Sequence, residues 1–112
     1  IPPFIIQPLI ENSIKHGIHP QDSGGKIAVN IYGKNEKLII TVEDDGEGIE
    51  QQKIKNIFEN ENDRIGLNNV RERLNSIYGS KSNFQIKSTP GKGTKNIIEI
   101  PNEFLFERSK AN

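Results

Sequence analysis

Ile27-Ala28-Val29-Asn30-Ile31, Gly33-Lys34-Asn35-Glu36 and Leu38-Ile39-Ile40-Thr41-Val42 follow one another in the first half of the chain. Ile27, Val29 and Ile31 occupy alternate positions, and so do Leu38, Ile40 and Val42. A period of two is the spacing of a half-buried strand, and the polar, glycine-bearing segment between the two runs is a turn. The stretch therefore predicts a β-hairpin with one apolar face buried. Its second strand runs directly into Glu43-Asp44-Asp45-Gly46-Glu47-Gly48-Ile49.

Outward from this hairpin the period changes. Ile6, Leu9, Ile10, Ser13, Ile14 and Gly17 recur at the 3–4 spacing of one helical stripe, which predicts a helix within Phe4 to Ile18, stopped by Gly17 and Pro20. Pro8 is tolerated only in a first turn, so regular helix is expected from about residue 7. On the other side, Glu50 to Phe58 predicts a short helix with Ile54, Ile57 and Phe58 inward. A charged loop over Glu59 to Arg64 follows, then a helix marked by Leu67, Val70, Leu74 and Ile77 and closed by Gly79. Phe84–Ser88 and Asn96–Ile100 predict two more strands joined through Pro90-Gly91-Lys92-Gly93. The order helix, hairpin, helix, helix, hairpin implies antiparallel pairing with helices on one face of the sheet. The expected class is α+β, a two-layer sandwich and a single domain over residues 1–112.

Composition narrows the function. The 112 residues carry 15 Lys plus Arg and 15 Asp plus Glu, so no net basic field favours nucleic acid or an acidic membrane surface. No apolar run approaches the ~20 residues that would span a bilayer. The absence of Cys excludes a disulfide framework, a Cys-based zinc site and thiol catalysis. The chain has no Met and opens Ile1-Pro2-Pro3, which suggests a piece of a longer protein.

Four segments carry candidate chemistry. On the first helix Glu11, Asn12, Lys15 and His16 lie off the buried stripe, with Glu11 one turn from Lys15 and Asn12 one turn from His16. That set is either a solvated face or a metal-phosphate face, an Asn oxygen being a hard ligand suited to Mg²⁺. In Asp44-Asp45-Gly46-Glu47-Gly48 a strand-end carboxylate can accept a hydrogen bond from an amino group, and the glycines let backbone approach a ligand; a polar turn is the plain alternative. Gly66-Leu67 opens a helix, a candidate anion site. Ser88-Thr89-Pro90-Gly91-Lys92-Gly93-Thr94 has neither the spacing nor the following helix of a phosphate-binding P-loop, which leaves a hairpin turn. Gly46 and Gly48 lack the third glycine of a dinucleotide fingerprint. His16 and His19 have no further ligand for zinc.

Taken together, these segments resemble the four boxes of the GHKL ATP-binding fold shared by histidine kinases, gyrase B subunits, mismatch-repair ATPases and certain chaperones. Glu11-Asn12-Ser13-Ile14-Lys15-His16-Gly17 resembles the N box and Asp44-Asp45-Gly46-Glu47-Gly48-Ile49 the G1 box. Gly66-Leu67 resembles the G2 box, and Gly91-Lys92-Gly93-Thr94 the final Gly-x-Gly-Thr element. The finer likeness is to sensor histidine kinases of the LytS/YesM type. Pro3-Phe4-Ile5-Ile6-Gln7-Pro8-Leu9-Ile10-Glu11-Asn12, Gly66-Leu67-Asn68-Asn69-Val70-Arg71-Glu72-Arg73-Leu74, Tyr78-Gly79 and Ile98-Glu99-Ile100-Pro101 carry it. The resemblance covers residues 2–101.

That resemblance implies a mixed, mostly antiparallel sheet under about three helices, with ATP and Mg²⁺ as ligands. It implies that Asp44 accepts the adenine amine and that Asn12 holds Mg²⁺. Lys15 and His16 would reach phosphate or ribose, with Gly46, Gly48 and Ile49 along the base pocket. Gly66 and Leu67 would meet the phosphates, Gly93 and Thr94 would support the adenine site, and Glu11 would match a general-base position. The implied activity is protein-histidine kinase, with transfer to a histidine on an upstream dimerising domain and onward signalling to a response regulator. The fragment would be the cytoplasmic part of a membrane-anchored homodimer. A serine-directed kinase of the anti-sigma-factor type and a degenerate interaction module are the alternatives.

Overall fold

A computed structural model describes residues 5–14, 25–59 and 65–102, with the side chains of 57–59, 65 and 66 outside that description. Four strands form one sheet: β1 (Ile27–Lys34), β2 (Lys37–Asp44), β3 (Asn83–Thr89) and β4 (Gly93–Pro101), in the spatial order β1-β2-β4-β3. Every pairing is antiparallel. Three helices, α1 (Ile6–Asn12), α2 (Gln51–Glu59) and α3 (Ile65–Tyr78), complete the two-layer α+β architecture, with a 3₁₀ turn at Gly79–Lys81 after α3.

Turn chemistry fixes both hairpins. Asn35 and Glu36 alone connect β1 to β2, with φ of 51° and 64°. Two successive left-handed residues make the primed turn whose twist matches that of the strands. Between β3 and β4, Pro90 presets φ and Gly91 supplies φ of +82°, while Lys92 N–H donates to the Thr89 carbonyl at 2.9 Å. Proline followed by a left-handed glycine is the pattern of a type II turn.

Register lines up the inner face in rows. Ile31, Ile40, Ile98 and Phe84 form one row across the four strands, and Val29, Val42, Asn96 and Ile86 form the next. The centre of this face is sealed: Ile40, Val42, Ile98 and Ile100 are fully buried. Ile5 just before α1, Leu9 of α1, Ile54 of α2 and Leu67, Val70 and Leu74 of α3 cover it.

Three sequence expectations change in detail. The apolar side of β1 is not buried, for Val29 and Ile31 are 42% and 47% exposed. β1 is an edge strand, whereas α1 packs on β2 and α2 on β3. On α3 the buried stripe passes through Leu67, Val70 and Leu74 to the half-buried Tyr78, and Ile77 turns outward. On α1 the stripe is Ile5, Leu9 and Ser13 at four-residue spacing, with Ile14 exposed and Pro8 in the first turn. Ile57 and Phe58, expected to point inward, have side chains outside the description.

Candidate functional site

One row of the inner face is unlike the rest. Ile27, Asp44, Thr94 and Ser88 stand opposite one another at the end of the sheet where β2 leaves and β4 begins. Alternation places Asp44 two positions beyond Val42 and Thr94 two before Asn96, so both continue the core face while carrying side-chain oxygen. Asp44 is 5% exposed and Thr94 6%. Glu43 points to the other face and is exposed, which separates the acids that crowd together in sequence.

The loop leaving β2 is tied at each step. Gly46 N–H donates to Asp44 Oδ1 at 2.9 Å, an Asx turn that orients the carboxylate. Asp45 Oδ1 accepts from Lys26 N–H at 2.8 Å, and Asp45 N–H returns a bond to the Lys26 carbonyl at 3.3 Å. Gly91 N–H donates to the Glu47 carbonyl at 2.6 Å, joining this loop to the β3–β4 turn.

Glycine is required at two of these joints. Gly93 has φ of +107°, and a Cβ there would lie 2.1 Å from the Asp44 carbonyl oxygen. Gly48 has φ of +78°, and its Cβ would lie 2.2 Å from the Thr89 carbonyl oxygen. Both positions combine left-handed backbone with contact against another backbone, which only glycine satisfies.

Ser88 organises the junction. Its Oγ accepts from Ile49 N–H at 2.7 Å, donates to the Gly93 carbonyl at 2.7 Å and lies 2.9 Å from Thr94 Oγ1. Its carbonyl accepts from Gln51 Nε2 at 3.2 Å. The sequence places Ser88 at the start of a hairpin-turn segment and gives it no role of its own. The available signal was a polar residue at the inward position of a strand whose other inward residues are Phe84 and Ile86. Asn96 is a second such case: fully buried, with Nδ2 3.5 Å from the Val42 carbonyl and Oδ1 without a partner among the described residues.

Of the remaining sequence candidates, Glu11 is exposed on α1 and accepts from Gln7 Nε2 at 3.1 Å, on the turn before it. Asn12 is half-buried in the last turn of α1. Lys15 and His16 lie outside the described residues. Gly66 is the second residue of α3 and Leu67 is buried beneath it. Among the described residues no three His, Cys, Asp or Glu side chains gather as a metal site. Asn12 offers one hard oxygen, which suits Mg²⁺ held mainly by phosphate and water.

Two cavities flank β3. A cleft of about 170 Å³ is lined by Glu43, Lys87 and Lys95 of the outer face and by Lys92, and it reaches Asp44, Ser88, Gly93 and Thr94 at the strand ends. A groove of about 480 Å³ lies by the start of β3, lined by Lys55, Arg71, Leu74, Asn75, Asn83 and Phe84. Size favours the groove, but the cleft adjoins the buried Asp44 and the Gly93 joint.

The chain is thus an antiparallel sheet under helices on one face, with an Asp at a strand end held between two glycine turns. Residues 4–103 match the family described as histidine kinase-, DNA gyrase B- and HSP90-like ATPase, and the chain belongs to that family. It is similar to the sensor histidine kinase YpdA of Escherichia coli K12, 35% identical over 92% of this chain and 18% of that protein. It is also similar to the sensor protein LytS of Staphylococcus haemolyticus, 36% identical over 96% of this chain and 19% of that one. The sensor histidine kinase YesM of Bacillus subtilis is 38% identical over 90% of this chain and 17% of its own length. The chain thus spans about a fifth of these three relatives. Among solved structures, the histidine kinase domain of the Erythrobacter litoralis EL346 blue-light activated histidine kinase shares the fold, with a TM-score of 0.66 at 20% identity. The match covers 89% of this chain and 42% of that one. No helix of the described residues is long and apolar enough to cross a membrane.

Proposed function

We propose that the chain binds Mg-ATP as the catalytic domain of a bacterial sensor histidine kinase and donates the γ-phosphoryl group to a histidine imidazole on an upstream dimerising domain. The observation that carries this reading is the buried Asp44, directly opposite Thr94 and fixed by the Gly46 N–H. A carboxylate held this way accepts a hydrogen bond from an exocyclic amine, as the 6-amino group of adenine offers. Gly46, Gly48 and Ile49 on one side and Gly93 and Thr94 on the other would line the base.

Asn12, Lys15, His16, Gly66 and Leu67 would serve the phosphates. When bound, Mg²⁺ supplies positive charge between the phosphate oxygens, and Asn12 would be this chain's ligand to it. Phosphoryl transfer needs chiefly positioning and charge neutralisation, with little covalent chemistry from the protein. Glu11 would match a general-base position; it is exposed on α1, and Gln7 Nε2 donates to its Oε1. The full protein would be a membrane-anchored homodimer with this domain in the cytoplasm, passing phosphate to a response regulator.

Calorimetry with ADP and Mg²⁺ on the parent chain and on Asp44→Asn tests the reading. Replacing the charged acceptor removes about 1.5–3 kcal/mol, an affinity loss of roughly 10- to 150-fold. Unchanged affinity in the variant refutes the adenine assignment. No binding by the parent chain favours an interaction module. Rapid phosphohistidine formation on this chain alone refutes the upstream acceptor.

A further inference from the structure

We infer that Ser88 is a positioning residue that sets the hydrogen-bond polarity of Thr94, and through it the preference of the site for a 6-amino over a 6-oxo purine. The inference rests on the reading of Asp44 as the base-amine acceptor and deepens it.

Counting protons fixes the direction of each bond. Ser88 Oγ has three close partners: Ile49 N at 2.7 Å, the Gly93 carbonyl oxygen at 2.7 Å and Thr94 Oγ1 at 2.9 Å. An amide N–H can only donate, so Ile49 occupies one lone pair of Ser88. A carbonyl oxygen can only accept, and two oxygens 2.7 Å apart need a proton between them, so the single Ser88 proton goes to Gly93. One lone pair of Ser88 remains, and Thr94 must donate into it. The Thr94 hydroxyl proton is thereby committed, and Thr94 has only lone pairs left for anything else.

Asp44 lies directly across from Thr94 in the strand register, and its carboxylate is also an acceptor. Two acceptors side by side call for a ligand edge rich in N–H. The 6-amino group of adenine carries two such hydrogens, for direct bonds or for a bond and a bridging water. A 6-oxo purine turns an oxygen towards two acceptors and leaves buried groups unpaired, the arrangement by which a polar site rejects a near-isostere. Ser88 touches no base in this account. It acts by orienting one hydroxyl, and the same three bonds join the loop after β2 to the first residue of β4.

The test compares ADP with inosine diphosphate, each with Mg²⁺, by calorimetry on the parent chain, Ser88→Ala and Ser88→Thr. The parent chain should prefer ADP. In Ser88→Ala the Thr94 proton is released to the Asp44 carboxylate or to a 6-oxo group, either of which removes one free acceptor from the pair, and the ADP preference should fall roughly tenfold. Ser88→Thr keeps the hydroxyl and should restore it. A merely structural Ser88 would weaken both nucleotides equally, and an unchanged ratio in Ser88→Ala overturns the inference alone. Equal binding of the two nucleotides by the parent chain overturns it together with the adenine assignment. If Ser88→Ala does not fold, Ser88→Cys supplies a weak hydrogen-bonding group of similar size. A reduced ADP preference there supports the inference, and a parental ratio overturns it.

Discussion

Two rows of the same sheet face, four residues apart along each strand, do opposite things with the same geometry. In the row Ile31, Ile40, Ile98 and Phe84, the middle-strand Ile40 and Ile98 are fully buried and, with the partly buried Phe84, pack in the core under the helices. Ile27, Asp44, Thr94 and Ser88 occupy equivalent positions at the strand ends, and three of the four carry side-chain oxygen. The alternation that builds a core also delivers polar atoms to a site, provided the helices stop short and the loops satisfy those atoms. The loops do so through fixed backbone contacts at Gly46, Ile49 and Gly93. On the proposed reading, the buried middle row carries stability and the polar end row carries recognition.

The largest perturbation should come where the two functions meet. Gly93→Ala forces a Cβ to within 2.1 Å of the Asp44 carbonyl at φ of +107°. Backbone that moves to relieve this displaces Asp44 itself, so stability should drop by about 3 kcal/mol or more, from strain and clash together. Urea denaturation of the variant measures it, and a loss below 1 kcal/mol would show that the joint is loose. Ile98→Ala, in the middle row, should cost about 3 kcal/mol through transfer and cavity terms, with folded protein still binding nucleotide. An affinity loss exceeding the stability effect would break the division between rows.

Asn96 sits between the rows and sharpens the comparison in the other direction. Its buried Oδ1 has no partner among the described residues, and its amide bond to Val42 is long at 3.5 Å. Asn96→Val removes an unsatisfied polar atom at little cost in hydrogen bonding and should stabilise the fold by about 1 kcal/mol. A thermal melt reads this as a rise of several degrees. A fall would mean that the amide belongs to the polar row. The smallest effect is expected on the edge strand, where Ile31 is 47% exposed. Ile31→Thr keeps β-branching and should change stability by less than about 0.5 kcal/mol.

Much of this arrangement was legible from residue order. Period-two runs gave the strands, Pro90-Gly91 and Asn35-Glu36 the turns, and Asp44-x-Gly46-x-Gly48 the loop. The exposure of Val29 and Ile31 was not legible, because alternation marks a face without saying whether a helix reaches it. That depends on β4 entering the sheet beside β2, which leaves β1 at the edge. Ile77 failed for a related reason, since Tyr78 competes for the same side of α3. Ser88 was hidden because its role depends on three partners, at positions 49, 93 and 94, that only register brings together.

The central claim is that the polar end row, with its glycine joints, is where nucleotide binds. The most direct measurement is a ¹H–¹⁵N correlation spectrum of the chain titrated with Mg-ADP. The largest amide shifts are predicted at Gly46, Gly48, Ile49, Gly93 and Thr94, with the middle-row amides of Ile40 and Ile98 nearly still. Shifts confined to Lys55, Arg71, Asn75 and Asn83, around the larger groove at the start of β3, would contradict it.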